Sequence, residues 1–170
     1  DVGVQKAGIN VGGHIVNLGN TETAITNHGS NGLAINGTVV TNGKLNVYNN
    51  NEASTLALKG KLESVKDGVS VTSKGSLDAQ QGSLISAEKD IEIVNNHSNT
   101  STEGIGLLNF AGTAKSNGNI HVVSSGALGM NVSGTLGDAN TKTVRIVNEN
   151  GKLVFTGTAN ADRSVSIRNR

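Results

Sequence analysis

The sequence contains no cysteine, no proline and no tryptophan, and it has only two phenylalanines and one tyrosine. Without Cys, neither disulfides nor thiolate metal ligands are available. With so few aromatic rings, a core must be built from Val, Ile, Leu and Ala. The absence of Pro is typical of a chain made almost entirely of paired strands.

Long apolar runs and strong net charge are also lacking. No apolar run approaches the roughly 20 residues of a membrane span, and no signal peptide is visible. The net charge of +1 gives no electrostatic basis for binding nucleic acid. The 170 residues fit one domain spanning 1–170. Because the chain starts at Asp1 without Met, we interpret it as a fragment of a longer repeat shaft.

Glycine and asparagine are abundant, with 23 residues each, and a short apolar-x-apolar unit recurs between them. Alternation with a period of two predicts a strand with one buried face. The units are Ile9/Val11, Leu33/Ile35, Leu45/Val47, Leu56/Leu58, Val69/Val71, Ile91/Ile93, Ile120/Val122, Val144/Ile146 and Val165/Ile167.

The spacing of these units is quasi-regular. Successive units recur at steps of 24, 22 or 21 residues, and a step of 29 from Ile91 to Ile120 indicates an insertion. The step of 12 from Leu33 to Leu45 predicts two strands of one coil, half a turn apart. Helical-pair repeats are longer, at about 33 residues or more.

We therefore predict an all-β fold, a right-handed parallel β-helix (β-solenoid) of about seven coils of roughly 21–24 residues. Its candidate core ladder is Ile9, Leu33, Val69, Ile91, Ile120, Val144 and Val165. Asn side chains at successive corners are expected to form hydrogen-bonded ladders. Frequent Asn-Gly pairs also suit hairpins, so an antiparallel meander, sandwich or barrel is the alternative.

Several stretches resemble the filamentous-haemagglutinin repeats of two-partner-secreted exoproteins, a family of adhesins and contact-dependent growth-inhibition sticks. They are residues 43–47, 68–79, 90–93 and 118–122. The resemblance implies a parallel β-helix, export through an outer-membrane transporter and a secreted, cell-surface location. It carries over no catalytic residue. The chain departs from the repeat at 21–30 and 95–109.

Chemical motifs are scarce, and we predict no catalytic, cofactor-binding or metal-binding residue. The four His residues lack metal-ligand spacing, and His121 is expected to point outward from a strand. Glu88, Asp90 and Glu92 alternate and could share one face. Because aromatic side chains that could stack on a sugar are missing, a solvated charged strand edge is favoured over a catalytic groove. The insertion is a candidate protruding interaction loop, formed by Asn95, Asn96, His97, Ser98, Asn99, Thr100, Ser101, Thr102, Glu103 and Gly104.

The expected function is that of a structural or adhesive shaft segment, not an enzyme. Such a shaft would extend a receptor-binding or toxin element, with a host or neighbouring-cell receptor or glycan as its partner. The alternatives are a carbohydrate-active β-helix enzyme and an autotransporter or tail-spike passenger segment of similar architecture.

Overall fold

The computed structural model describes residues 7–98 and 104–170, and throughout this part the regular structure is β with no helix. Twenty-one strands wind into a β-solenoid of about seven turns, and every turn contributes one strand to each of three parallel sheets. The predicted all-β solenoid and its number of coils are therefore confirmed. No strand pairing in the described residues is antiparallel, so the meander alternative is wrong.

Sheet A holds the first strand of each coil. Its strands are β1 (Ile9–Val11), β4 (Leu33–Ile35), β7 (Thr55–Leu58), β10 (Ser76–Ala79), β13 (Leu108–Phe110), β16 (Met130–Val132) and β19 (Leu153–Phe155). Sheet B holds the second strand. Its strands are β2 (His14–Asn17), β5 (Thr38–Thr41), β8 (Lys61–Ser64), β11 (Leu84–Ala87), β14 (Thr113–Ser116), β17 (Thr135–Leu136) and β20 (Thr158–Ala159).

Sheet C holds the third and longest strand of each coil. Its strands are β3 (Thr23–Asn27), β6 (Leu45–Asn49), β9 (Val69–Ser73), β12 (Ile91–Asn95), β15 (Asn119–Ser124), β18 (Thr143–Asn148) and β21 (Ser164–Asn169). Strand β3 lies within 21–30, so that departure from the repeat still forms a regular strand. The insertion lies between β12 and β13, where Ile91 aligns with Ile120 across the predicted step of 29.

The core consists of stacked layers, each built by one coil. A middle coil points two apolar side chains inward from sheet A, one from sheet B and two from sheet C. In the third coil these are Leu56, Leu58, Leu62, Val69 and Val71, all at most 1% exposed. Because each layer contacts only the layers above and below, the fold is close to one-dimensional.

Volume is compensated between neighbouring layers where the core takes its largest side chain. Phe110 is fully buried and aligns with Ala79 of the preceding coil. The sheet B position of its own coil is the small Ala114, also fully buried. Two alanines thus make room for one ring, as close packing of the interior requires.

The predicted core ladder needs correction, because it mixes two sheets. Ile9 and Leu33 belong to sheet A, whereas Val69 and the later members align with Leu45 in sheet C. Leu33 and Leu45 do share a coil, but a third strand, β5, lies between them, so they are not half a turn apart. All three sheets repeat with nearly the same period, so the period alone could not assign a unit to its sheet.

Corners between sheets A and B are short and rich in glycine. Six of the seven coils place Gly immediately before the sheet B strand, and the fourth coil places Ser83 there. These glycines are Gly13, Gly37, Gly60, Gly112, Gly134 and Gly157. A Cβ at Gly60 would overlap the Gly37 carbonyl oxygen of the coil below. Since the same carbonyl accepts from Lys61 N at 2.9 Å, the close approach is part of the hydrogen-bonded stack.

Corners between sheets C and A are closed by side chains instead. The last residue of each sheet C strand points inward and is Asn or Ser in every coil. Asn27 donates from Nδ2 to Asn49 Oδ1 at 2.8 Å, and Asn148 donates likewise to Asn169 at 2.7 Å. These bonds confirm the predicted asparagine ladder, which alternates with Ser73 and Ser124.

Candidate functional site

The outer surface of sheet C carries the candidate site. Its long strands point two side-chain columns away from the core, and Val147 is the one buried member of these columns. The first column is Ala24, Asn46, Ser70, Glu92, His121, Arg145 and Ser166. The second column is Thr26, Tyr48, Thr72, Val94, Val123, Val147 and Arg168. We call this surface the C face.

Charged side chains occupy the first column in the fourth to sixth coils. Glu92, His121 and Arg145 align directly on consecutive strands. An open groove of about 240 Å³ runs beside them. Partial burial, followed by the Arg145 charge, lowers the pKa of His121, while Glu92 acts in the opposite direction. His121 lies on the outer face, as predicted.

A second open groove, of about 190 Å³, lies where sheet B turns into sheet C. Lys89 Nζ lies 3.3 Å from Asp67 Oδ2 across its rim. The backbone N–H of Gly68 and then Lys89 lower the pKa of Asp67. This exposed ion pair contributes little to stability. The groove also contains Lys44 and Asp90, so it presents charges of both signs.

The three acidic residues singled out in the sequence do not form one cluster. Asp90 and Glu92 line the same groove. Glu88 instead accepts a hydrogen bond from Asn117 Nδ2 at 2.8 Å and lines a separate groove with Glu63 and Lys115. The expected single charged strand edge is therefore wrong, because residues 88–90 form the corner between β11 and β12 and only Glu92 lies in a strand.

A groove of about 430 Å³, with Glu22 as the one charged residue in its lining, lies on the C face of the first three coils. Tyr48 stands in it between Thr26 and Thr72, which occupy the same position on the adjacent strands. Asn46 and Ser70 lie alongside. Sequence reasoning missed this groove, because the alignment of three strands about two dozen residues apart is needed to assemble it.

Tyr48 is the only aromatic side chain on the outside of the described solenoid. Phe110 is fully buried, and Phe155 packs against the core. Tyr48 Oη donates to Asn50 Oδ1 at 2.9 Å, and Asn50 Nδ2 lies 3.0 Å from Nδ1 of His28 in the coil below. These contacts hold the ring in one orientation.

The candidate interaction loop begins later than predicted. Asn95 is the last residue of β12 and is fully buried, and His97 is 4% exposed. Neither side chain is therefore available to a partner. Asn96, Ser98 and Gly104 are exposed. Residues 99–103 lie outside the described part of the chain.

No group of three His, Cys, Asp or Glu residues in the described ranges is arranged to hold a metal ion. Within those ranges there is also no helix with the length and apolar composition of a bilayer span. Comparison with models of protein families, with curated proteins and with solved structures found no match to this chain.

Proposed function

We propose that this chain is a structural and adhesive shaft segment of a large secreted bacterial surface exoprotein. The single observation that supports this is the regular stack of three parallel sheets. Repetition of the coil lengthens the solenoid, and the sheets enclose only a thin apolar core. Each added coil extends the rod by about 4.8 Å. Such a rod suits the task of holding a receptor-binding or toxin element away from the cell.

The composition is compatible with export in an unfolded state through an outer-membrane transporter. No Cys is present to form a premature disulfide in an oxidising compartment. Nearest-neighbour stacking lets coils fold one after another as the chain emerges. The resemblance of 68–79 and 118–122 to haemagglutinin repeats motivates the assignment to two-partner secretion.

Antibodies raised against the 170-residue chain test the proposed location. We expect them to label intact cells of the source organism, and protease treatment of those cells to remove the label. Inactivating the genes of candidate outer-membrane transporters should also abolish it. Labelling seen only after the cells are permeabilised would overturn the proposal.

The carbohydrate-active enzyme is the second candidate, because Asp90, Glu92 and His121 share one groove. Paired carboxylates are the usual catalytic groups for cleaving glycosides. Incubation of the chain with a panel of neutral and acidic polysaccharides, followed by measurement of new reducing ends or unsaturated products, separates the two. We expect no turnover. Turnover that disappears in Glu92→Gln would favour the enzyme.

A further inference from the structure

We infer that the Tyr48 groove on the C face is a binding site for neutral glycans. The inference rests on the proposed function in one respect, since it assigns a partner to the exposed surface of the shaft. The groove is defined by Thr26, Asn46, Tyr48, Ser70 and Thr72, with Glu22 at its edge.

The chemistry of the groove matches a pyranose ring. A sugar presents C–H groups on one face and hydroxyls at its rim. Tyr48 offers an aromatic surface for the first, and the Asn46 amide with the Ser70 and Thr72 hydroxyls offers donors and acceptors for the second. Thr26 and Thr72 are small side chains on either side of Tyr48, so no bulky neighbour stands beside the ring.

The ring is fixed before any ligand arrives. Its hydroxyl donates to Asn50, and Asn50 in turn contacts His28 on the preceding coil. A side chain that is already ordered loses little conformational freedom on binding, which favours affinity. The contact chain bridges two coils, so the orientation of the ring depends on the stacking itself.

Peptides and acidic polymers fit this groove less well. Strand β6 pairs with β3 on one side and β9 on the other, so no free strand edge is available to add a peptide strand. Glu22 is the only acid or base lining the groove. A negative charge there opposes sulfated or uronate sugars. A neutral glycan is the class that remains.

Tyr48 also allows glycan binding to be measured by fluorescence. The chain has one Tyr and no Trp, so its intrinsic tyrosine fluorescence reports this groove alone. Maltohexaose, N-acetylated chitotetraose and a printed array of neutral glycans serve as probes, with a heparin hexasaccharide as the acidic probe. We expect a saturable fluorescence change with at least one neutral glycan and none with heparin.

Variants then test whether glycan binding depends on Tyr48. Tyr48→Ala should weaken binding, followed by calorimetry, by at least about tenfold, since the stacking surface is lost. Tyr48→Phe keeps the ring and should bind within about threefold of the unchanged protein. Val123→Ala, in the same column three coils away, is the control and should not alter binding.

The inference is overturned if no neutral glycan binds, if heparin alone binds, or if Tyr48→Ala binds as well as the unchanged protein. Circular dichroism of each variant shows whether the solenoid is intact. If Tyr48→Ala does not fold, Asn46→Ala, which removes an amide from the same groove, takes its place and should also weaken binding. Surface labelling of cells without glycan binding would remove this site but leave the proposed shaft function standing.

Discussion

The A–B and C–A corners of the same solenoid are built on different principles. Between sheets A and B, six of the seven connections are two residues long, as in 36–37 and 59–60. Between sheets C and A, the connections vary from two residues, 74–75, to twelve, 96–107. The first corner is closed by backbone packed on backbone, and the second by buried side chains that bond to whatever loop follows. The A–B corner is therefore the more uniform in length, because it is closed by backbone and has no side chain that could adjust to a longer loop.

The exception supports this difference. In the fourth coil the A–B corner has four residues, 80–83, and the glycine is replaced by Ser83. Ser83 Oγ donates to the Gln80 carbonyl at 2.6 Å, and Gly82 takes a φ of +88°. The corner accepts two extra residues by forming a turn of its own.

The largest expected effect comes from adding one methyl group to the glycine column. Gly60→Ala should destabilise the protein by about 3 kcal/mol, the upper end for overpacking, because its Cβ would overlap backbone that has to move. Gly13→Ala is the matched control, since a Cβ there meets nothing within 4 Å. Urea unfolding of both variants measures the difference. Equal stabilities would show that backbone packing does not close this corner.

The C–A corner should be most sensitive to loss of its amides. Asn49→Ala is expected to cost about 1–3 kcal/mol, because Asn49 accepts from Asn27 Nδ2 and donates to Ser73 Oγ at 3.2 Å inside the stack. Asn46→Ala, three residues earlier on the outer face, should change the stability by less than about 0.5 kcal/mol. Thermal unfolding is the measurement. A similar loss at both positions would contradict a structural role for the ladder.

The two corners should also differ in how much stability the protein loses when residues are inserted into them. Four Gly/Ser residues placed between Glu52 and Ala53 nearly double a C–A connection and should cost about 0.6 kcal/mol. The same insert between Asn36 and Gly37 should cost more, because both residues donate to the Val11 carbonyl, at 2.9 and 2.8 Å. Denaturant midpoints of the two variants compare them. A more damaging insert at Glu52 would reverse the comparison.

The smallest expected effect on stability comes from the outer face of sheet C, away from both corners. The pKa of His121 is lowered from 6.5 in the folded protein, so the unfolded chain binds the proton more tightly. Stability should be constant above about pH 6.5 and decrease as the pH falls through that value toward the folded pKa.

His121→Gln should flatten that part of the stability–pH profile, measured as the free energy of unfolding between pH 7 and pH 5. Asp67→Asn is the control: the lowered pKa of Asp67 makes its contribution disappear only as the pH falls below about 4. A slope between pH 7 and pH 5 that survives in His121→Gln would assign the titration to another group.

Sequence reasoning found one of the two corners and missed the other. The inward Asn residues were anticipated as a ladder, because amides at a regular spacing have to bond to one another once buried. The glycine column was not, although Gly-Thr recurs at Gly37, Gly112, Gly134 and Gly157. Sheet B was also missed, since most of its strands bury a single large apolar residue, such as Val39, two positions before a small or polar one, such as Thr41.

By itself, the sequence determined the repeat, the strand class and the inward face, because period-two alternation and a recurrence near two dozen residues are properties of the chain alone. Only the tertiary structure decided which units share a sheet, since all three sheets repeat at nearly the same interval. The tertiary structure also decided which side chains are neighbours on the outer face. Tyr48 acquires Thr26 and Thr72 as neighbours, and Glu92 acquires His121, because residues two to three dozen positions apart become adjacent only when the coils stack.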